Sequence, residues 1–546
     1  MLPIALLASL HLAALVVLVW SEYAPTQRFA FLLTWGLLNC CWIALVRRPT
    51  VAAALSLALV LVLVTLSYFK YKVIWTTANF VDLMVIDTDT IDYLFTVVPG
   101  LSRIIAAVSL VGALLLVLIW RADSFRLRRM PALAGFCFCI AALAALEQVV
   151  PLEIYEGFYG GNFVSTFARS GVDAINEYVR HGYLESDPVA LDHLGPPAAA
   201  CEPAQKPPHI ILIHDESSFD IRSAPGIKVP PGYGAHFRSF DGKQRNFIVE
   251  GAGGPSWFTE YNVLSGLAAR SFGRFSYFVS HIAAGRVERG LPRALRRCGY
   301  QTFTAFPALQ AFMGAKSYQA TAGIDHFYDS AALGTERIEP DSFYYDSAIK
   351  MLVNNRLDGP MFIYVYVAAN HFPWDHRWRP DLVPQWQDLG NPTGVDEYLR
   401  RQSMSFGYYR EFLDKLNRSF PGEPFLIVRY GDHQPDFASN IMEPGIDDAT
   451  IAKRLIDYDP RYFTTYYAID AVNFQPVNLS SALPTLEGPF LPLVIQESAG
   501  LPLDPSFTEQ KRILERCGGL FYGCAGGQEA RRFNRLLIEA GLIKHL

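Results

Sequence analysis

Charge is scarce in this chain, and it is scarcest at the start. Asp, Glu, Lys and Arg make up only 18% of the residues and the formal net charge is −5. No long basic run follows the apolar first part. The sequence therefore lacks what a phosphate backbone would need, and nucleic acid is not expected as a partner. Internal repeats and a low-complexity tail are missing as well, so neither a solenoid nor a disordered arm is expected. What the chain does have is a sharp change of composition. Before about Val150 it is strongly apolar; after about Pro188 charges are mixed and aromatics, Gly and Pro are frequent.

Five stretches are long and uncharged enough to span a bilayer: Met1–Trp20, Phe29–Val46, Val51–Phe69, Ile104–Trp120 and Met130–Leu146. Each approaches the ~20 residues that a ~30 Å hydrocarbon core requires, and only helices satisfy their backbone there. The first stretch has no basic n-region and no clear small-residue cleavage site, which argues against a signal peptide. Arg47 and Arg48 join the second and third stretches; Arg121, Arg126, Arg128 and Arg129 join the fourth and fifth. Those two loops are expected on the cytoplasmic side, and the rest of the chain after five crossings on the outer side. The domain reading is thus a five-helix transmembrane domain over 1–150, an amphipathic segment and Pro/Ala-rich linker over 151–207, and an extracytoplasmic domain over 208–546. The segment from Tyr71 to Gly100 is too polar to cross and is placed along the outer surface. Cys40, Cys41, Cys137 and Cys139 fall in the spans, while Cys201, Cys298, Cys517 and Cys524 fall beyond them. Disulfides persist outside the cytoplasm. Cys517 and Cys524, flanking a Gly-rich turn, are the candidate pair; two free thiols are the alternative.

The soluble part alternates short apolar runs with helical patterns, the mark of an α/β domain with a mainly parallel central sheet. The clearest strands are His209–His214, Asn246–Glu250, Gln301–Phe306, Met361–Val367 and Phe425–Tyr430. Polar groups follow four of them: Glu216 after the first, Ser256 after the second, His371 after the fourth, and Asp432–His433 after the fifth. Open α/β sheets bind ligands outside the carboxyl ends of their strands, so these groups fall on one sheet edge.

Glu216, Asp432 and His433 form a candidate site for one divalent metal ion, with Mn²⁺ or Zn²⁺ expected from the mix of carboxylate and imidazole. Gly431 permits a sharp turn before the Asp-His pair. Ser256, in GAGGPSW ahead of a helical pattern, is the candidate nucleophile and a further metal ligand, since coordination is one way to activate a hydroxyl. An ordinary helix-capping serine is the bland alternative. GGPSW is not the G-x-S-x-G elbow of an α/β-hydrolase. His371 is a candidate to contact the phosphoryl oxygens or protonate a leaving group. His214 and Asp215 are candidate outer partners of the metal ligands, and His376, Asp436 and Lys316 are weaker candidates.

Strand–Glu–x–Ser, then a Gly-rich Ser, then His-x-Pro, then Tyr-Gly-Asp-His: this order resembles the alkaline phosphatase/sulfatase superfamily. It looks most like the membrane branch of lipoteichoic acid synthases, phosphoglycerol transferases and phosphoethanolamine transferases. Glu216 matches that branch's first metal-binding carboxylate, Ser256 its nucleophilic threonine, Asp432 and His433 its paired ligands, and His371 its substrate-contacting histidine. Thr259 is the fallback nucleophile. The stretch GIDHFYD at Gly323–Asp329 fits the branch too, whereas its Trp-x-Arg substrate motif has no clean match near Phe312–Lys316. No C/S-x-P-x-R site for formylglycine is found; CEPAQ at Cys201 lacks the Arg. The resemblance implies a sulfatase-like domain behind five helices in a bacterial cytoplasmic membrane. It further implies a metal-dependent transferase. A phosphoglycerol or phosphoethanolamine group would pass from a phospholipid to a glycan or glycolipid hydroxyl through a phospho-serine, phosphoglycerol being favoured. A membrane-bound phosphodiesterase on the same scaffold and a non-catalytic glycan-binding module are the rivals.

Overall fold

A computed structural model describes residues 2–158, 160–189, 193–195, 201–203 and 205–546. Met1 and part of the expected linker lie outside the described residues. The chain forms two compact units, Met1–Gly182 and Tyr183–Leu546.

The first unit is helical: α1 (Leu2–Ser21), α2 (Pro25–Val46), α3 (Pro49–Ile74), α4 (Phe80–Met84), α5 (Thr88–Val97), α6 (Leu101–Ala122), α7 (Arg129–Val149) and α8 (Phe163–His181). Five of these, α1, α2, α3, α6 and α7, are long and apolar enough to cross a membrane. Pro25 and Pro49 open α2 and α3, where a missing N–H is harmless and a fixed φ is already helical. On α6 no residue is buried, and Ile104, Val108 and Leu115 face outward. Such a surface is stable only in apolar surroundings. The two Arg-bearing loops pair with each other: Leu127 N–H donates to Arg47 O (2.9 Å), and Asp123 Oδ2 accepts from Thr50 N–H (2.8 Å) at the start of α3. At the other end, Glu22 Oε1 accepts from Val164 N–H (3.0 Å) and Ser165 N–H (3.3 Å), supplying α8 with the N-terminal acceptor its first turn lacks. The expected amphipathic segment after Pro151 accordingly packs into this unit. Phe163 and Val164 bury against Leu18, Phe31 and Val60, and Arg169 is fully buried against Glu147 (2.9 Å).

The second unit is built on one eight-stranded sheet: β1 (His209–Asp215), β2 (Arg245–Ile248), β3 (Gln301–Ala305), β4 (His326–Tyr328), β5 (Met361–Val367), β6 (Phe425–Gly431), β7 (Thr464–Val472) and β8 (Thr485–Glu487), in the order β4-β3-β5-β1-β6-β7-β2-β8. Only β7 runs against its neighbours β6 and β2; the other pairings are parallel. Every strand except β7 therefore points one way, and the carboxyl ends of β1, β2, β5 and β6 share an edge. The central strands β1, β5 and β6 are buried along their whole length, as continuous apolar runs in a covered parallel sheet require. On one face Ile211, Ile213, Ile363, Val365 and Ile427 pack under Tyr344, Tyr345, Leu352, Phe412 and Leu416 of the helices Asp341–Asn355 and Val395–Ser419. Two disulfides close in this unit, Cys517–Cys524 and Cys201–Cys298, whereas all four cysteines of the apolar helices are free thiols.

Candidate metal centre and nucleophile

Glu216 follows β1 directly and is almost fully buried. Its Oε1 accepts from Ser217 Oγ (2.7 Å) and its Oε2 from Tyr366 Oη (2.7 Å), a β5 tyrosine that sequence inspection passes over because it sits inside an apolar run. Ser217 takes a left-handed φ of 52°, turning the chain so that its N–H donates to Asp432 Oδ1 at 2.7 Å.

Asp432 and His433 follow β6. A Cβ at Gly431 would stand 1.7 Å from Ser218 O, so the turn needs glycine for close approach. Asp432 Oδ1 accepts a second bond from His433 N–H (2.8 Å), which commits that oxygen and leaves Oδ2 free. His433 Nδ1 donates to Gln434 O (2.8 Å), so Nε2 is the nitrogen turned toward the carboxylates. It lies 3.2 Å from Asp432 Oδ2, 3.5 Å from Glu216 Oε1 and 3.3 Å from Ser256 Oγ.

Ser256 is the first residue of the helix α9 (Ser256–Ser265), behind a loop in which Gly253 (φ 69°) and Gly254 (φ 157°) take conformations that L side chains rarely adopt. Pro255 occupies the cap position and no side chain caps the helix. Instead of capping, Ser256 Oγ points at Glu216 Oε2 (3.4 Å) and at His433. Thr259 Oγ1 is tied to Asp432 O at 2.6 Å, fully buried, and is not a free hydroxyl.

These spacings fit a cation. Ligand atoms ~2.1 Å from one ion in tetrahedral array stand ~3.4 Å from each other, and His433 Nε2 stands 3.2–3.5 Å from Asp432 Oδ2, Ser256 Oγ and Glu216 Oε1. The buried Asp432 Oδ2 makes no hydrogen bond, a state that costs about 1–3 kcal/mol unless something else satisfies it. Electrostatics agree. Burial would push His433 down, but Asp432 and Glu216 outweigh it and raise it to about 9. Burial would push Glu216 up, but the hydrogen bond from His433 and the electrostatic pull of the neighbouring imidazole rings hold it well below the usual carboxylate range. Two buried carboxylates thus call for positive charge between them.

His371, on the loop after β5, is half-buried. Its Nδ1 donates to Phe372 O (2.8 Å), and its own carbonyl accepts from Arg401 Nη1 (2.7 Å). Buried Arg401 also donates to Pro373 O (2.7 Å) and Glu397 Oε1 (2.6 Å), and Glu397 Oε1 accepts from Trp378 N–H (3.0 Å). The helix Val395–Ser419 therefore staples down the loop that carries His371, an arrangement no local motif announces. His214 stands against Asp432 (3.1 Å). Asp215, on the opposite face of β1, bonds His236 (3.3 Å) and Tyr466 (2.5 Å), away from the other groups. Exposed His376 pairs with Asp375 (2.8 Å), exposed Lys316 with Gln310 (2.7 Å), and exposed Asp436 with Phe437 N–H (2.7 Å); none of the three joins the cluster.

Comparison with known proteins gives a family resemblance over part of the chain. Residues 258–455 match the Sulfatase family model. No curated protein matches. Solved structures with a similar fold include the phosphoglycerol transferase GacH of Streptococcus pyogenes in complex with sn-glycerol-1-phosphate, at 15% identity and TM-score 0.46 over 74% of this chain and 97% of that one. The lipooligosaccharide phosphoethanolamine transferase EptA of Neisseria meningitidis is similar at 13% identity and TM-score 0.43, over 86% and 95%. The lipoteichoic acid synthase LtaP of Listeria monocytogenes is similar at 16% identity and TM-score 0.40, over 60% and 78%. The segment that is similar to the Sulfatase family contains His371, Asp432 and His433.

Proposed function

We propose that this protein is a membrane-bound, metal-dependent transferase that moves a phospholipid headgroup phosphate, phosphoglycerol or phosphoethanolamine, to a hydroxyl of a glycan or glycolipid. One observation carries the reading: Ser256 Oγ stands 3.4 Å from Glu216 and 3.3 Å from His433, at the start of a helix. Glu216, Ser256, Asp432 and His433 would hold one divalent ion, Mn²⁺ or Zn²⁺. Bound there, it would lower the pKa of the serine hydroxyl and offset charge on the phosphoryl oxygens.

The chain's own residues do the rest. The N-terminal end of α9 offers a partial positive charge to the headgroup phosphate. Ser256 Oγ attacks phosphorus, the Oγ–P bond forms, and the bond from phosphorus to the diacylglycerol oxygen breaks. Ser256 Oγ–H has Glu216 Oε2 as its nearest carboxylate acceptor. His371, whose Nδ1 is committed to Phe372 O, gives the proton on Nε2 to the departing oxygen. The acceptor oxygen then attacks phosphorus as the P–Oγ bond breaks; His371 Nε2 takes the acceptor's proton, and Ser256 Oγ regains its own from Glu216. The five apolar helices would anchor the chain in a bilayer, where a phospholipid donor is presented. The two disulfides of the second unit, against free thiols in the helices, support an oxidising compartment outside a bacterial cytoplasmic membrane.

Intact-mass analysis after incubation with headgroup-labelled phospholipid is the test. A headgroup-phosphate adduct on Ser256 is expected, lost in Ser256→Ala together with transfer activity, by on the order of 10⁴-fold. Turnover in Ser256→Ala at the wild-type rate would sink the mechanism. Release of free headgroup phosphate with no modified glycan would identify a phosphodiesterase instead.

A further inference from the structure

One buried histidine near the centre has no part in the mechanism above. His214 precedes Glu216 by two residues, so strand alternation turns both to the same side of the sheet. Its ring stacks on Tyr366 with centroids 3.7 Å apart. Its Nδ1 lies 2.8 Å from Tyr364 Oη and 2.9 Å from Tyr430 Oη. With Nδ1–H donating to one of these hydroxyls, Nε2 carries a bare lone pair. That nitrogen is 3.1 Å from Asp432 Oδ2, both residues are fully buried, and neither atom makes a hydrogen bond. Ligand atoms of His214, Glu216 and Asp432 all lie within 4.8 Å of one another. Two buried polar atoms that face each other without a hydrogen bond, beside a buried carboxylate, are what a shared cation would satisfy.

We propose that His214 Nε2 is a further donor to the cation of this centre, and that this second imidazole makes the site prefer a zinc-type ion over a manganese- or magnesium-type one. The proposal rests on the metal-site reading given above. Carboxylate and hydroxyl oxygens suit hard ions, and each added imidazole shifts preference toward the borderline ones. The two tyrosine hydroxyls supply the outer hydrogen bond that ligating histidines ordinarily have.

The test uses the full chain in detergent, stripped with a chelator and titrated with Zn²⁺ and with Mn²⁺ against a chromophoric competitor. Wild type is expected to hold Zn²⁺ more tightly than Mn²⁺. His214→Asn is expected to weaken Zn²⁺ binding by roughly 10–100-fold with Mn²⁺ binding changed far less, so that the ratio of affinities collapses. Tyr364→Phe loosens the ring without altering the donor set and is expected to shift the ratio in the same direction by a smaller factor; it decides the matter if His214→Asn fails to fold. An unchanged Zn²⁺/Mn²⁺ ratio in a folded His214→Asn, or in Tyr364→Phe if only that variant folds, overturns the proposal. Glu216→Gln separates the two levels. If it keeps full affinity for both ions, the metal-site reading itself fails. If it loses both while His214→Asn alters neither, the His214 proposal alone fails.

Discussion

Single side chains set both the chemistry and part of the pH response. Glu260, on α9 one turn beyond Ser256, is buried and has Gln319 Nε2 as a hydrogen-bond donor at 2.9 Å. Burial pushes its carboxyl up to about 7, whereas an unfolded Glu titrates near ~4.3. Between those values the folded chain keeps a proton that the unfolded chain releases. This group's contribution to stability therefore falls as pH rises through the window and levels off above it. Glu260→Gln is neutral throughout. Its melting temperature should gain on wild type from about pH 4.5 to about 7 and hold that gain at higher pH. A difference that stays constant with pH would show that Glu260 is ionised in the folded state. The candidate ligands Glu216, Ser256, Asp432 and His433 are legible as residue types at strand ends. Tyr366 is not, because inside an apolar strand nothing local separates a packing residue from one aimed at a functional group, and His214 is legible only as an outer partner of the ligands.

At the scale of elements, two short connections hold the site in shape. The turn after β6 brings Gly431 against Ser218 O. Gly431→Ala would force the two backbones apart and is expected to destabilise the second unit by about 3 kcal/mol or more. It should also abolish metal retention, read by melting temperature and metal analysis of the purified chain; a variant that melts and binds like wild type would contradict the geometry. The loop after β5 depends on Arg401. Arg401→Lys leaves one compact charge where a planar fork makes four bonds. Transfer activity should fall roughly 10–100-fold through a misplaced His371, with metal content unchanged. Equal kcat in the two proteins would deny the loop any positioning role. Five strands are readable from their apolar runs, and their bounds shift by no more than two residues. β4 and β8 are three residues each, too short for periodicity to register. β7 is broken by Thr464, Thr465 and Asp470, and the side chains of Thr465 and Asp470 are satisfied by distant partners that only folding supplies.

At the scale of the whole molecule, the two disulfides differ in what they restrain. Cys201 and Cys298 are 97 residues apart, Cys517 and Cys524 only seven. Chain-entropy arguments give roughly 4.7 kcal/mol for the long loop and roughly 2.4 kcal/mol for the short one. Replacing the first pair by Ser should lower the melting temperature of the second unit about twice as much as replacing the other; equal losses would place the effect in native packing instead. The Cys517–Cys524 bond is readable from its Gly-rich turn, whereas Cys201–Cys298 joins segments that nothing in the sequence brings together.

The sequence by itself determined the properties that short stretches own. These are five apolar runs of spanning length, an α/β pattern, and polar groups placed just beyond strands. Each follows from local composition, because burial or lipid contact acts on a run of neighbouring residues. Strand order, the single reversed strand, the stapled loop and the distances within the candidate centre were decided only by the tertiary structure. Whether atoms 200 residues apart in the chain stand 3.5 Å or 15 Å apart depends on register and packing summed over the whole sheet (~4.8 Å per strand), and no local stretch carries that information.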